Sequence, residues 1–177
     1  MFHFFCSKNT FGFCLLLATF LAGSCSSGKS LKGDTFVSKD TTYKIAAPSE
    51  AWKRVDIRDT DLAWVHEDKI GSLLMNSECE SVDDAPLLAL TNHLLFGMTE
   101  REIISQEKTR VSRREGLRTR VKAKLDGVYR MLEILVVKKD GCVYDLVLEG
   151  NPQDFETLLP AFENFNQRFD ILPRKRS

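Results

Sequence analysis

The sequence predicts an α+β domain, an antiparallel β-sheet with helices packed on it, and three observations carry that expectation. From Leu117 to Leu125 the inward-type residues Leu117, Thr119, Val121, Ala123 and Leu125 alternate without a break with Arg118, Arg120, Lys122 and Lys124. That is the period of a strand with two unlike faces. Asp126-Gly127 follows at once, a strong hairpin signal because both central positions of a type I′ turn need positive φ. Apolar residues at helical spacing lie on either side of this strand-rich middle, around Leu87 to Met98 and around Phe155 to Phe169. Strands, helix, strands, helix is an order satisfied by layering helices on an antiparallel sheet.

The N-terminal 24 residues read as a segment of address. Lys8 is the one cation there, no acid occurs, and Phe11 to Ala22 is an apolar run that ends in small residues. These are the parts of a secretory signal peptide, and the run falls short of the roughly 20 apolar residues a bilayer-spanning helix needs. Leu21-Ala22-Gly23-Ser24-Cys25 resembles the bacterial lipobox, although Ala22 stands where leucine is usual, with Leu21 one place earlier. The resemblance implies that the Cys25 thiol takes a diacylglyceryl group, that the chain is cut before it, and that the new amino group is acylated. It also implies a lipid-anchored, periplasm-facing protein of a Gram-negative envelope. Ser26 in place of Asp points to the outer membrane over the inner. An ordinary signal peptide with a cysteine near its cleavage site is the alternative.

Removing residues 1–24 takes Lys8 from 25 basic and 25 acidic side chains and leaves a formal charge of −1. A balance so near zero carries no nucleic-acid signature. Ser26 to about Ser38, rich in Ser, Gly and Lys, reads as a flexible tether. Residues 39–172 then form one domain, and 173–177 a basic tail.

Within the domain, Thr41–Ala46, Trp52–Ile57, Leu62–His66 and Gly71–Cys79 have the length and bounding turns of short antiparallel strands. Asp83 or Asp84 can cap a helix with Pro86 in its first turn. Leu87, Leu90, Leu94 and Met98, with Leu88 and Leu95, form its apolar stripe, and Gly97 ends it. Leu117–Leu125, Val128–Val137 and Cys142–Leu148 should make a three-strand meander, the middle strand covered on both faces. Asn151-Pro152 opens the last helix, and Pro160 inside it predicts a kink or two short helices.

This layout resembles the PsbP-like superfamily, which includes photosynthetic extrinsic subunits and the Mog-type Ran-binding proteins. The resemblance rests on Tyr43-Lys44-Ile45-Ala46-Ala47-Pro48 followed closely by Trp52, the mid-chain helix, the meander and the amphipathic helix ending in Phe169. It covers about residues 41 to 170 and implies a layered α/β/α sandwich with binding or assembly roles and no catalysis.

Chemistry-bearing residues are few. Cys79 and Cys142 are candidates for a disulfide across an exported domain; separate buried thiols, or one reactive thiol, are the alternatives. No Gly-x-Ser-x-Gly elbow, P-loop or His-Glu-x-x-His occurs, and a thiolate pair of Cys79 with His93 lacks an orienting partner. His66 and His93 are expected to be structural or surface residues. No metal or cofactor is expected.

Charge is unevenly spread. Lys108 to Lys124 holds eight cations against Glu115, and residues 56–84 hold nine acids against Arg58 and Lys69. One reading is solvated faces paired across the sheet, Arg120 with Glu133 for example if the Asp126-Gly127 turn sets the register. The other is an outward row of Arg118, Arg120, Lys122 and Lys124 that meets an anionic lipid or an acidic protein surface. The expected function is a membrane-anchored, non-catalytic binding or assembly factor with an envelope protein partner. A carrier or sensor of a small anionic or lipidic ligand comes second, and a thiol-dependent enzyme third.

Overall fold

The computed structural model describes residues 28–79 and 84–173. Residues 1–24, Cys25, Asp83 and the Arg174-Lys175-Arg176 tail lie outside the described residues. In chain order the elements are β1 (Ser30–Lys32), β2 (Thr35–Val37), β3 (Thr42–Lys44), β4 (Trp52–Val55), β5 (Leu62–His66), β6 (Gly71–Glu78), α1 (Leu87–Leu94), β7 (Thr99–Val111), β8 (Arg114–Leu125), β9 (Val128–Lys139), β10 (Cys142–Gly150), α2 (Phe155–Gln167) and β11 (Asp170–Ile171).

Seven strands make the main sheet in the order β4-β5-β6-β10-β9-β8-β7, with every neighbouring pair antiparallel. Leu125 pairs with Val128 across a turn whose Asp126 and Gly127 have φ of 50° and 81°. Asp140 and Gly141 repeat that geometry before β10. Both turns are where the dipeptides put them.

The register sorts the strand residues into two faces. Met131, Glu133, Leu135 and Val137 of β9 share a face with Cys142, Tyr144, Leu146 and Leu148 of β10 and with Leu73 and Met75 of β6. On it α2 buries Phe155, Leu158, Phe162 and Phe165. On the opposite face Val121, Ala123, Leu132, Ile134, Val136 and Val143 pack under Leu87, Leu90, Leu94 and Leu95 of α1 and its end. The result is an α+β fold of helix, sheet and helix. β9 is apolar on both faces because both are covered, with Leu132 through Val137 all at 3% exposure or less.

Two glycines let α2 come close. Gly71 and Gly150 are cross-strand partners, and a Cβ on Gly150 would stand 2.7 Å from Leu158 Cδ1. At that distance a side chain cannot fit without displacing the helix.

Several elements differ from expectation. Residues 30–37, read as tether, form the β1–β2 hairpin of a second sheet, β1-β2-β3-β11. Composition hid it because one residue, Phe36, supplies the burial, stacking on Tyr43 with ring centroids 4.7 Å apart. The meander has four strands, since β7 precedes the three expected ones. Nearly every β7 residue is exposed, so the strand lacks the apolar alternation that marks its neighbours. Its register shifts between Thr99 and Glu102 and between Ile103 and Ser105, the kind of irregularity that guards a sheet edge against pairing with other chains.

Further differences concern the helices. α2 is one helix with Pro160 inside it, not two short ones. Pro160 and Glu156, the residue whose carbonyl loses its partner, are both exposed, so water replaces the missing bond while the opposite face stays packed. At α1 the N-cap is Pro86 without a side-chain cap, so Asp84 does not serve there. Gly97, at φ 84°, ends the segment as expected.

Candidate functional site

Arg118 and Arg120 of the β8 cation row turn inward to the α2 layer and pair within the fold, unlike the outward row expected at those two positions. Arg118 and Arg120 both bond Glu133, whose side chain is 2% exposed. Arg120 Nε donates to Glu133 Oε2 at 2.7 Å, and its Nη1 donates to Glu156 of α2 at 3.2 Å. Arg118 donates to Glu163, also on α2, and its guanidinium lies over the Phe162 ring at 5.6 Å. Burial alone would lower the Arg118 guanidinium, but the hydrogen bonds it donates to Glu163 and Glu133 outweigh that and hold the group above its ordinary value. The Arg120–Glu133 cross-strand pair is the one the hairpin register predicted. Sheet arginines and helix glutamates therefore seal the margin of the α2 interface. They are structural, because an arginine on the covered face of a sheet must find acids within the fold.

The row ends at the turn between β8 and β9. Lys122 and Lys124 each stand 4.7 Å from the Tyr129 ring, and Lys124 bonds Glu100 at 2.6 Å. Hydrogen bonds from Lys124 and Tyr129 hold the Glu100 carboxyl below its usual range. Thr99 pairs with Lys124, so the α1–β7 turn lies at this same end of the sheet. That turn carries Phe96 at 85% exposure, and the hairpin carries Val128 at 59% and Leu125 at 41%.

The opposite end of the sheet holds a cavity lined by a buried charge. Cys79, just past β6, is bonded to Cys142 at the start of β10, which leaves Cys79 no thiol to pair with His93. Beside the disulfide, Gly28, Lys29, Ser38, Lys39, Asp40, Asp61, Ser77, Glu78 and Cys79 enclose about 370 Å³. Asp61 forms part of its floor, its side chain 1% exposed. The Tyr43 hydroxyl donates to Asp61 Oδ2 at 3.2 Å, and the Ser77 hydroxyl donates to the same oxygen. Oδ1 receives no hydrogen bond from a fixed side chain. Lys29 Nζ stands 2.8 Å from it, on a side chain 42% exposed. Burial, then the neighbouring Asp61, holds the Tyr43 phenol well above its ordinary value, so it stays a donor.

Sequence reasoning passed over Asp61 because its partners come from separate places in the chain: Tyr43 on β3, Ser77 on β6 and Lys29 ahead of β1. No local motif marks such a site. The same holds for Asp145 on β10, half-buried with Oδ1 closed off and without a partner, whose carboxyl burial pushes up to about 7. Of the histidines, His66 packs edge-on to Trp52 across the β4–β5 pair, and His93 lies in the last turn of α1. No group of three His, Cys, Asp or Glu side chains among the described residues is placed to hold a metal ion. No described helix is long and apolar enough to cross a membrane.

No protein-family model and no curated protein matches the chain. Solved structures do. Cyanobacterial PsbP (CyanoP) from Synechocystis aligns with TM-score 0.57 at 16% identity over 85% of this chain and 96% of its own. LpqN of Mycobacterium tuberculosis, described as involved in cell envelope biogenesis, aligns with TM-score 0.58 at 12% identity over 74% of this chain and 83% of its own. A Pseudomonas aeruginosa protein of unknown function aligns with TM-score 0.51 at 13% identity, over 80% and 97%. Identities this low establish the fold alone, and that fold is PsbP-like.

Proposed function

We propose that the chain is an exported lipoprotein, anchored through acylated Cys25 and facing the periplasm, that acts as a non-catalytic binding or assembly factor in the envelope. The observation that carries this is the Cys79–Cys142 disulfide, a bond that forms and persists in oxidising compartments and agrees with the signal-peptide pattern of residues 1–24. The likeness to LpqN supports an envelope role, and Ser26 supports the outer membrane. Phe96, with Leu125 and Val128 at the same end of the sheet, supports a protein partner, since large exposed apolar groups gathered at one place mark interaction sites. Ion pairing of Arg118 and Arg120 within the fold weighs against the same role for them.

Metabolic labelling with palmitate tests the anchor: the parent should take label and Cys25→Ser should not. A photo-crosslinking residue at position 96 tests the partner in intact membranes. A discrete crosslinked product, lost when the probe is moved to the exposed Pro160 position, is the expected result. No product from position 96 would end the partner reading.

A further inference from the structure

The Asp61 cavity has the construction of an ammonium site. Its carboxylate is fixed by two hydroxyl donors on Oδ2, while Oδ1, buried beneath the Lys29 side chain, is met by the ammonium of Lys29. A buried carboxylate without a cation is costly, so some ammonium has to stand there. Lys29 is a half-exposed side chain outside any strand, ahead of β1. It meets Asp61 as a guest from solvent rather than as part of the core.

The charges lining the space are Lys29 and Lys39 against Asp40, Asp61 and Glu78. The excess of one acid, with the most buried acid on the floor, favours a ligand that enters cation first. Lys29, and Lys39 paired with Asp40 at 3.7 Å, then line the space that an attached anionic group would occupy.

Chain length brings this cavity to the membrane. The tether collapses once residues 30–37 are folded into strands, and four residue steps separate Cys25 from Lys29. Fully extended, they reach at most about 14 Å. With Cys25 acylated, the cavity stays within reach of the head-group layer, where small ammonium groups are carried on phosphates.

We propose that the Asp61 cavity binds the phosphoethanolamine-type head group of an aminophospholipid in the anchoring membrane, with Lys29 holding the ammonium position in cis until the lipid takes it. This assignment rests on the anchor reading of Cys25. A primary ammonium has three N–H donors for Oδ1, and a quaternary one has none. Selectivity between the two is therefore the signature of the site.

The test is calorimetric titration of the mature protein, purified in neutral detergent micelles, with phosphorylethanolamine, ethanolamine, phosphorylcholine and inorganic phosphate as probes. Phosphorylethanolamine should bind about tenfold or more tighter than phosphorylcholine, and tighter than ethanolamine or phosphate alone. Asp61→Asn should abolish binding. Lys29→Gln should tighten ethanolamine several-fold, because the internal competitor is gone; this arm stands even where Asp61→Asn fails to fold. Equal affinity for phosphorylcholine, for ethanolamine alone or for phosphate alone would overturn the proposal, as would a Lys29→Gln protein with unchanged ethanolamine affinity. Palmitate labelling reads the anchor separately. An unlabelled parent that still selects phosphorylethanolamine removes the membrane source, whereas a labelled parent without selectivity removes the site.

Discussion

Asp145→Asn should make the protein more stable at neutral and alkaline pH and leave it unchanged in acid. In the native state burial pushes the Asp145 carboxyl up to about 7, while in the unfolded chain it titrates near an ordinary value of about 3.9. Between those limits the native state binds the proton and the unfolded state does not. Stability therefore falls as pH rises, by up to about 1.4 kcal/mol per unit. Over three units the ceiling is about 4 kcal/mol. Partial exposure of the residue lets water solvate the charge, which brings the working figure to about 2 kcal/mol.

The surroundings explain why nothing offsets this cost. Its cross-strand neighbours, Asn76 and Val136, carry no charge. Lys138, the cation two residues along β9 on that face, is committed to Asp84 and to the Ala85 carbonyl. Urea unfolding of parent and Asp145→Asn from about pH 4 to pH 8.5, with the disulfide intact, measures the difference at each pH. Groups such as Glu100, whose lowered carboxyl contributes stability that is lost as pH falls, cancel in that difference. The two curves should meet near pH 4 and diverge upward. A difference that stays constant with pH refutes the reasoning.

Glu133→Ala should cost about 3–5 kcal/mol, since it leaves Arg118 and Arg120 against the α2 interface without their shared buried acid; urea titration checks it, and a loss under about 1 kcal/mol would show that water takes over. Reduction, or Cys79→Ser with Cys142→Ser, should lower stability by about 4 kcal/mol, the chain-entropy value for a bond spanning a separation of 63 residues; equal midpoints with and without reductant would contradict it. Gly150→Ala should cost about 1–3 kcal/mol by forcing Leu158 and α2 off the sheet. Its thermal midpoint should recover when Leu158 is also shortened to Ala, relative to Leu158→Ala alone, and no coupling between the two would place the clash elsewhere.

Legibility followed the range of the interactions involved. The two Asp-Gly turns, the β8 alternation and the doubly covered β9 are specified within a few residues, and each stands where expected. β7 was illegible because an exposed edge strand needs no apolar face. The β1–β2 hairpin was illegible because one aromatic contact, Phe36 on Tyr43, does the work that a periodic stripe does elsewhere. Arg118 and Arg120 show the remaining ambiguity. Alternation separates the two faces of a strand, but which face looks to solvent depends on where a helix comes to rest whose acids lie 36 and 45 residues further on.

Local pattern was enough for the class of the fold, the two Asp-Gly hairpins, the burial of the central strands and the pairing of Arg120 with Glu133, because periodicity and turn chemistry are local. Only the closed fold decided that Arg118 and Arg120 lie against α2, that Cys79 meets Cys142, that residues 30–37 form a hairpin and that Asp61 gathers Tyr43, Ser77 and Lys29 around one carboxylate. Those contacts join residues far apart in the chain. Their energies come from removing charges and hydroxyls from water together, a condition that exists only after the layers have closed.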